Sequence, residues 1–175
     1  NALTVDCCDI SLNHRPWKER VFLVKELDNI QKAAVESQGD TKVLLTYRFD
    51  ADFLDIPSDI ALVAEGEGFY DIRFNGHQLK GSENDWWIDR AFYKYPVSQY
   101  IKNGENIVEM RYIIKKPEQY LDVEKLFETV RNRHFYPIEP ESVYICGSFD
   151  VVARGGKSYS PHHITIHPPH IAKPF

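Results

Sequence analysis

Apolar and polar residues alternate with a period of two over much of the chain, in short runs separated by turn residues. Runs of this kind predict strands, and many short strands predict an all-β sandwich rather than alternating βαβ units. Residues 43–49 form a β-rich run that stops at a polar, proline-containing loop over 50–58. A second run covers 60–64, and the turn at 65–68 leads into a third over 69–74. In the third run Tyr70, Ile72 and Phe74 are expected on one face, with Asp71 and Arg73 on the other. Asn75-Gly76 is the strongest short signal for a hairpin, and the chain is expected to return through 77–79. Asn103-Gly104-Glu105-Asn106 marks a further turn and opens a long core strand over 107–114. Strands over 143–146 and 164–166 complete the set.

Two stretches break the period. Over 117–133, Tyr120, Val123, Leu126, Phe127 and Val130 fall on one helical stripe, Pro117 stands at the start, and Arg131 and Arg133 stand at the end. A shorter helix is expected over 28–38, with Asp28 as its cap, Gln31 completing a capping box and Gly39 as its stop. The pattern therefore predicts one β-sandwich domain over 1–175 with one or two inserted helices.

Composition narrows the function. The chain has 175 residues, whereas the (β/α)₈ barrel that carries most sugar chemistry needs roughly 250, so a complete large hydrolase is excluded. The 21 basic and 26 acidic residues give a formal charge of -5, which is not the footprint of a nucleic-acid or anionic-membrane binder. No run reaches the roughly 20 apolar residues of a membrane helix. The opening residues lack the order of a signal peptide, and the compartment stays open. Cys7, Cys8 and Cys146 are an odd set, and adjacent Cys7 and Cys8 do not readily bridge each other. On a strand at least one of the two is expected to be a small buried hydrophobe, with no thiol chemistry.

Aromatic residues make up 13% of the chain, and the densest candidate chemistry lies over 83–93. If this stretch is extended, Trp86 and Ile88 share one face while Trp87 and Asp89 share the other. Ile88 then marks the inward face, and Trp87 becomes the exposed platform. A flat ring flanked by Asp85, Asp89 and Arg90 suits a sugar, whose C–H face lies on the ring while its hydroxyls bond to charged groups. The competing reading has Trp87 buried under a loop or docked against another domain. Asp85 and Asp89 could also be read as a glycosidase acid and base, which need roughly 5–9.5 Å between them and a cleft. His163, Thr165 and His167 fall on one side of a strand, so His163 and His167 are candidate zinc ligands. The alternative for them is a solvated tail. There is no glycine-rich phosphate loop, His-Glu-x-x-His or Gly-x-Ser-x-Gly in the sequence.

The order of motifs has a counterpart. The segment from Phe69 through Asn75-Gly76, then Trp86-Trp87-Ile88-Asp89, Tyr95-Pro96-Val97 and Tyr100-Ile101-Lys102-Asn103-Gly104-Glu105-Asn106, resembles the galactose-binding-like jelly-roll modules of large bacterial glycoside hydrolases. Both the sugar-binding domain of family 2 enzymes and the accessory module of α-L-rhamnosidase-like enzymes carry it. Val143-Tyr144-Ile145-Cys146-Gly147-Ser148-Phe149 resembles a segment of the rhamnosidase-like group, with Ser148 where that group usually has Asp. The resemblance spans most of 1–152. It implies a jelly-roll β-sandwich that is not itself catalytic, belonging to a longer chain with its catalytic acids elsewhere. The expected role is carbohydrate binding or scaffolding, with an oligosaccharide or polysaccharide and other domains of the same chain as partners. Neither nucleic acid nor membrane is expected as a partner. No cofactor is expected, although a jelly roll is compatible with a structural calcium ion. The expected carbohydrate-binding residues are Trp87 as platform, Asp85, Asp89 and Arg90 as hydroxyl partners, and Asn75 and His77 on a neighbouring hairpin. Two alternatives stand beside this reading: a purely structural domain packed on the parent catalytic domain, and a small stand-alone glycosidase.

Overall fold

The computed structural model describes residues 1–65, 68–81, 85–116, 140–153 and 164–169. The helix expected over 117–133 lies outside them. The described residues contain thirteen strands. The first three, β1 (Ala2–Val5), β2 (Cys7–Leu12) and β3 (Arg15–Phe22), are followed by the helix α1 (Leu27–Glu36). Then come β4 (Thr41–Ala51), β5 (Ala61–Glu65), β6 (Phe69–Phe74), β7 (His77–Gln78), β8 (Trp86–Trp87) and β9 (Asp89–Pro96). The series ends with β10 (Gly104–Ile114), β11 (Val143–Cys146), β12 (Asp150–Ala153) and β13 (Ile164–His167).

Two sheets result. The smaller has five strands in the order β1-β11-β5-β9-β8. The larger has eight: β12-β13-β4-β10-β6-β7 form one path, and β2 joins β4 on one side and β3 on the other. The chain changes sheet between β1 and β2, β4 and β5, β5 and β6, β7 and β8, β9 and β10, β10 and β11, and β11 and β12. This is the all-β sandwich that the pattern predicts, wired as a jelly roll. Pairing is antiparallel except where β13 runs parallel to β4 at Thr165–Asp50 and Ile166–Ala51.

Register explains the core. Because side chains alternate across a strand, pairing partners lie on the same face. In the larger sheet Ile10, Leu45, Met110 and Ile72 form one row, and Cys8, Tyr47, Val108 and Phe74 form the next. In the smaller sheet Leu3, Ile145, Leu62 and Tyr95 form a row. All twelve side chains are buried, and full burial of one such apolar side chain contributes about 1.5–3 kcal/mol. Tyr47 keeps its hydroxyl satisfied by donating to the Glu141 carbonyl at 2.7 Å. The opposite face of the larger sheet is charged. There Asp71 accepts from Arg73 at 2.9 Å and Arg111 at 2.8 Å, and Arg48 pairs with Asp9.

Two local expectations are corrected. Tyr70 does not share the core face with Ile72 and Phe74. The register shifts between Arg111 and Tyr112, so that Asp71 opposes Arg111 while Phe69 opposes Tyr112. The extra residue of this bulge is Tyr70, which is exposed, and Phe69 takes the inner position edge-on to Tyr112 at 6.2 Å. The short helix starts one residue before Asp28, with Glu26 at the N-cap and no side-chain capping bond. Its start is set by packing. A single 3-10 turn over Leu23–Lys25 buries Leu23 and runs straight into α1, which buries Ile30 and Ala34, and Gln31 is buried rather than capping.

The turns follow their residues closely. Asn75 and Gly76 both have positive φ, 47° and 83°, as a two-residue hairpin of this hand requires. Asn75 donates to the Tyr100 carbonyl and to Asn106 Oδ1, both at 2.8 Å, and accepts from the Ile107 amide at 2.9 Å. Asn106 is fully buried and donates to the Lys102 and Gly104 carbonyls. Asn103 clasps Phe53 through both its amide and its carbonyl. The recurrent asparagines of the sequence thus tie three loops together at one end of the sandwich.

Cys7, Cys8 and Cys146 are all buried, and none of them forms a disulfide. Burial pushes the Cys7 thiol up to about 11, with Asp6 and Asp9 adding to it, and pushes Cys8 further and Cys146 in the same direction. Thiolate is therefore scarce at pH 8. A chromogenic disulfide reagent at that pH is expected to find no reactive thiol in the folded chain and all three after denaturation. Rapid labelling of the native protein would contradict the buried assignment.

Candidate functional site

The Trp-rich stretch forms a hairpin at the edge of the smaller sheet. Trp86 pairs with Tyr93 and Trp87 with Asp89, with a register shift between them, and the chain reverses at Ile88. Ile88 has a φ of 61°, which is strained for a β-branched residue. At the turn its side chain leaves the sheet and is 78% exposed. It therefore does not mark an inward face, and that part of the expectation fails. Trp86 is 44% exposed, whereas Trp87 is half-buried.

Trp87 and Asp89 nevertheless share a face, because they are cross-strand partners. That face is the outer one of the smaller sheet. Tyr144 projects there between inward Val143 and Ile145, and its ring lies 5.4 Å from Trp87 at 43°. Phe92 meets the same Tyr144 edge-on at 6.0 Å. The three rings form an aromatic cluster outside the sandwich core. Charges rim it: Lys94 reaches Asp85 at 3.8 Å, the Lys94 amide donates to the Asp85 carbonyl, and Asp89 accepts from the Ala91 amide at 2.9 Å. Arg90 is exposed beside Asp89. Trp87, Asp85, Asp89 and Arg90 are thus brought together on one hairpin.

Asn75 and His77 are not brought to them. β6 carries the chain from Phe69, close after Glu65, to Phe74, which at about 3.3 Å per residue is some 17 Å away. Glu65 pairs with Phe92 beside the aromatic cluster, so Asn75 lies at the opposite end of the strands. Its side chain is also committed to the Asn106 network. His77 stacks on Tyr100 at 4.4 Å with the rings 15° apart. The hairpin is neighbouring in sequence but distant in space.

Tyr144 and Lys94 lie outside the 83–93 stretch that the sequence pattern singles out. The signal for Tyr144 was present, because it is the polar-tipped residue between two apolar ones in a short strand. The other candidates gain no geometry. His163 lies outside the described residues, and His167 points its Nδ1 at the Pro168 carbonyl, 2.8 Å away. Among the described residues no three His, Cys, Asp or Glu side chains converge to hold a metal.

The chain is similar to part of a β-D-mannosidase. The enzyme is that of Dictyoglomus thermophilum, with 15% sequence identity and a TM-score of 0.48, and the match covers 89% of this chain and 24% of the mannosidase chain. The chain therefore spans about a quarter of that protein's length. No family model and no curated protein matches the sequence.

Proposed function

We propose that this chain is a non-catalytic carbohydrate-recognition module of a longer glycoside hydrolase, and that it receives glycan on the outer face of its smaller sheet. The observation that carries this reading is the cluster of Trp87, Tyr144 and Phe92 outside the core, rimmed by Asp85, Asp89 and Lys94. Rings of this kind offer a flat apolar surface to the C–H face of a sugar, and the rim offers donors and acceptors of both kinds to its hydroxyls. The order of motifs from Phe69 to Asn106 supports membership in a glycoside hydrolase, and the net charge of -5 suits a neutral partner better than a polyanion.

Titration with rhamnose-, galactose- and uronic-acid-containing oligosaccharides, followed by tryptophan fluorescence, tests the reading. Saturable quenching is expected, and Trp87→Ala is expected to weaken binding about tenfold. A flat response across the panel would sink it.

A second reading is favoured by Ile88. An aliphatic side chain 78% exposed beside Trp86 offers a sugar hydroxyl nothing and suits a protein surface. On that reading the hairpin packs against another domain of the same chain. Trp87→Ala would then change solubility while glycan binding stayed absent.

A further inference from the structure

We propose that the glycan site does not end at Trp87 but continues round the edge of the sandwich to Trp86 and Tyr70, so that the ligand is a chain of several sugar units rather than a single sugar. This rests on the carbohydrate reading above. Among the described residues Trp86 and Tyr70 are the two aromatic side chains that count as exposed, at 44% and 55%. The other large exposed apolar residues are all aliphatic. Single exposed rings are ordinary on a protein surface, but these two share a corner.

Topology places them there. Trp86 pairs with Tyr93, and Phe92, the next residue, pairs with Glu65. Glu65 ends β5, and Phe69 and Tyr70, four and five residues later in the chain, open β6. β8 stands two strand spacings from β5, about 10 Å. The edge of the smaller sheet at β8 and the Phe69 end of β6 in the larger sheet therefore both lie at the Glu65 end of the sandwich.

A bulge turns Tyr70 outward, and an edge position leaves Trp86 exposed. Regular alternation would set Tyr70 into the core with Ile72 and Phe74, where its burial would be stabilising. The bulge gives that place to Phe69 and sends Tyr70 into solvent. Bulges commonly re-aim a side chain in this way. On β8, the edge strand of the smaller sheet, ordinary alternation sets one indole on each side of a two-residue strand. Each station also carries hydrogen-bonding groups of both signs. Asp85 and Lys94 stand by the tryptophans, and Asp71 with Arg73 stands next to Tyr70. A sugar chain passing over the corner thus meets a ring and a charged pair at each end of its path.

The test compares a disaccharide with a hexasaccharide from each of the rhamnose, galactose and galacturonic acid series, by isothermal titration against the parent chain and three variants. The hexasaccharide is expected to bind more tightly. Trp86→Ala and Tyr70→Ala are each expected to cost about two- to tenfold for the hexasaccharide and nothing for the disaccharide, whereas Trp87→Ala weakens both. Both residues are exposed, so the variants keep the fold, and circular dichroism checks this. Affinity independent of chain length, or equal losses on short and long ligands, would overturn the extended site while leaving the Trp87 site standing. Absence of binding by every sugar would remove the carbohydrate reading and this inference with it.

Discussion

Replacing Asn106 with alanine is expected to lower the stability of the chain by about 3–5 kcal/mol, as the loss of several buried hydrogen bonds at one site. Asn106 is fully buried at the start of β10. Its Nδ2 donates to the Lys102 carbonyl at 2.8 Å and the Gly104 carbonyl at 3.0 Å. Its Oδ1 accepts from the Lys102 amide at 3.1 Å and from Asn75 at 2.8 Å. Alanine removes one partner from each of these part-buried bonds, and their other halves must then find water or stay unpaired. Each orphaned group costs about 1–3 kcal/mol, which separates this site from an ordinary surface asparagine. A urea titration should show a lower midpoint with an unchanged slope. Asn106→Asp is expected to cost a comparable amount at neutral pH, because a carboxylate oxygen would then face the two carbonyls. That cost should shrink as pH falls and the carboxyl regains a proton to donate. A loss under 1 kcal/mol for alanine would mean that water replaces the amide and that the loops do not depend on it.

The same asparagines show why much of the fold was legible. Asn75-Gly76 and the turn before Ile107 are local chemistry, since positive φ and side-chain bonds to nearby backbone select those residues whatever the rest of the chain does. Strands β4, β6, β10 and β11 announce themselves by alternation because one face of each is buried. β2 and β3 do not. Their pairing is broken by register shifts on both sides of Ile10, Arg20 adopts a φ of 51°, and the turn between them uses Asn13 and His14 at positive φ without a glycine. Each irregularity resets the period, so no window of the sequence reads as a strand. Tyr70 was misplaced for the same reason, because a one-residue bulge is set by the partner strand and leaves no mark on its own sequence.

The site was legible only in part. The grouping of Asp85, Trp87, Asp89 and Arg90 needs nothing more than one hairpin, and sequence proximity delivers it. Tyr144 reaches Trp87 only because β11 lies between β1 and β5 in the smaller sheet, with β9 and β8 beyond β5, and that order cannot be read from alternation. Asn75 and His77 failed from the opposite side. They are close to the hairpin in sequence, but the intervening β6 carries them the length of a strand away and into the other sheet. An apolar residue marks a buried face only within a strand, and Ile88 stands at a turn, where it marks none.

Among the glycines, Gly147 is expected to be the least replaceable, and three alanine variants separate the reasons. Gly147 ends β11 where the chain leaves the smaller sheet for β12, and its φ is 152°. A Cβ there would lie 3.0 Å from Ile60 Cα, 3.1 Å from Ile60 Cγ1 and 3.2 Å from the Asp59 carbonyl. Two of these contacts are backbone, so nothing flexible can swing aside. The unfavourable conformation costs about 1–3 kcal/mol, and forcing a methyl into a packed contact adds about 1–3 kcal/mol. Gly147→Ala should therefore cost about 2–6 kcal/mol in total. It should also pull Ser148 away from Asp59, which its hydroxyl reaches at 2.7 Å. Gly76, with a φ of 83° but open space around it, carries the conformational cost alone, about 1–2 kcal/mol. Gly39 has neither positive φ nor a neighbour within 4 Å, and its replacement should stay within about 0.5 kcal/mol. Urea midpoints of the three variants should rank in that order. If Gly147→Ala proved no worse than Gly76→Ala, the close approach to Ile60 would not be what requires glycine at the crossing, and backbone conformation alone would explain it.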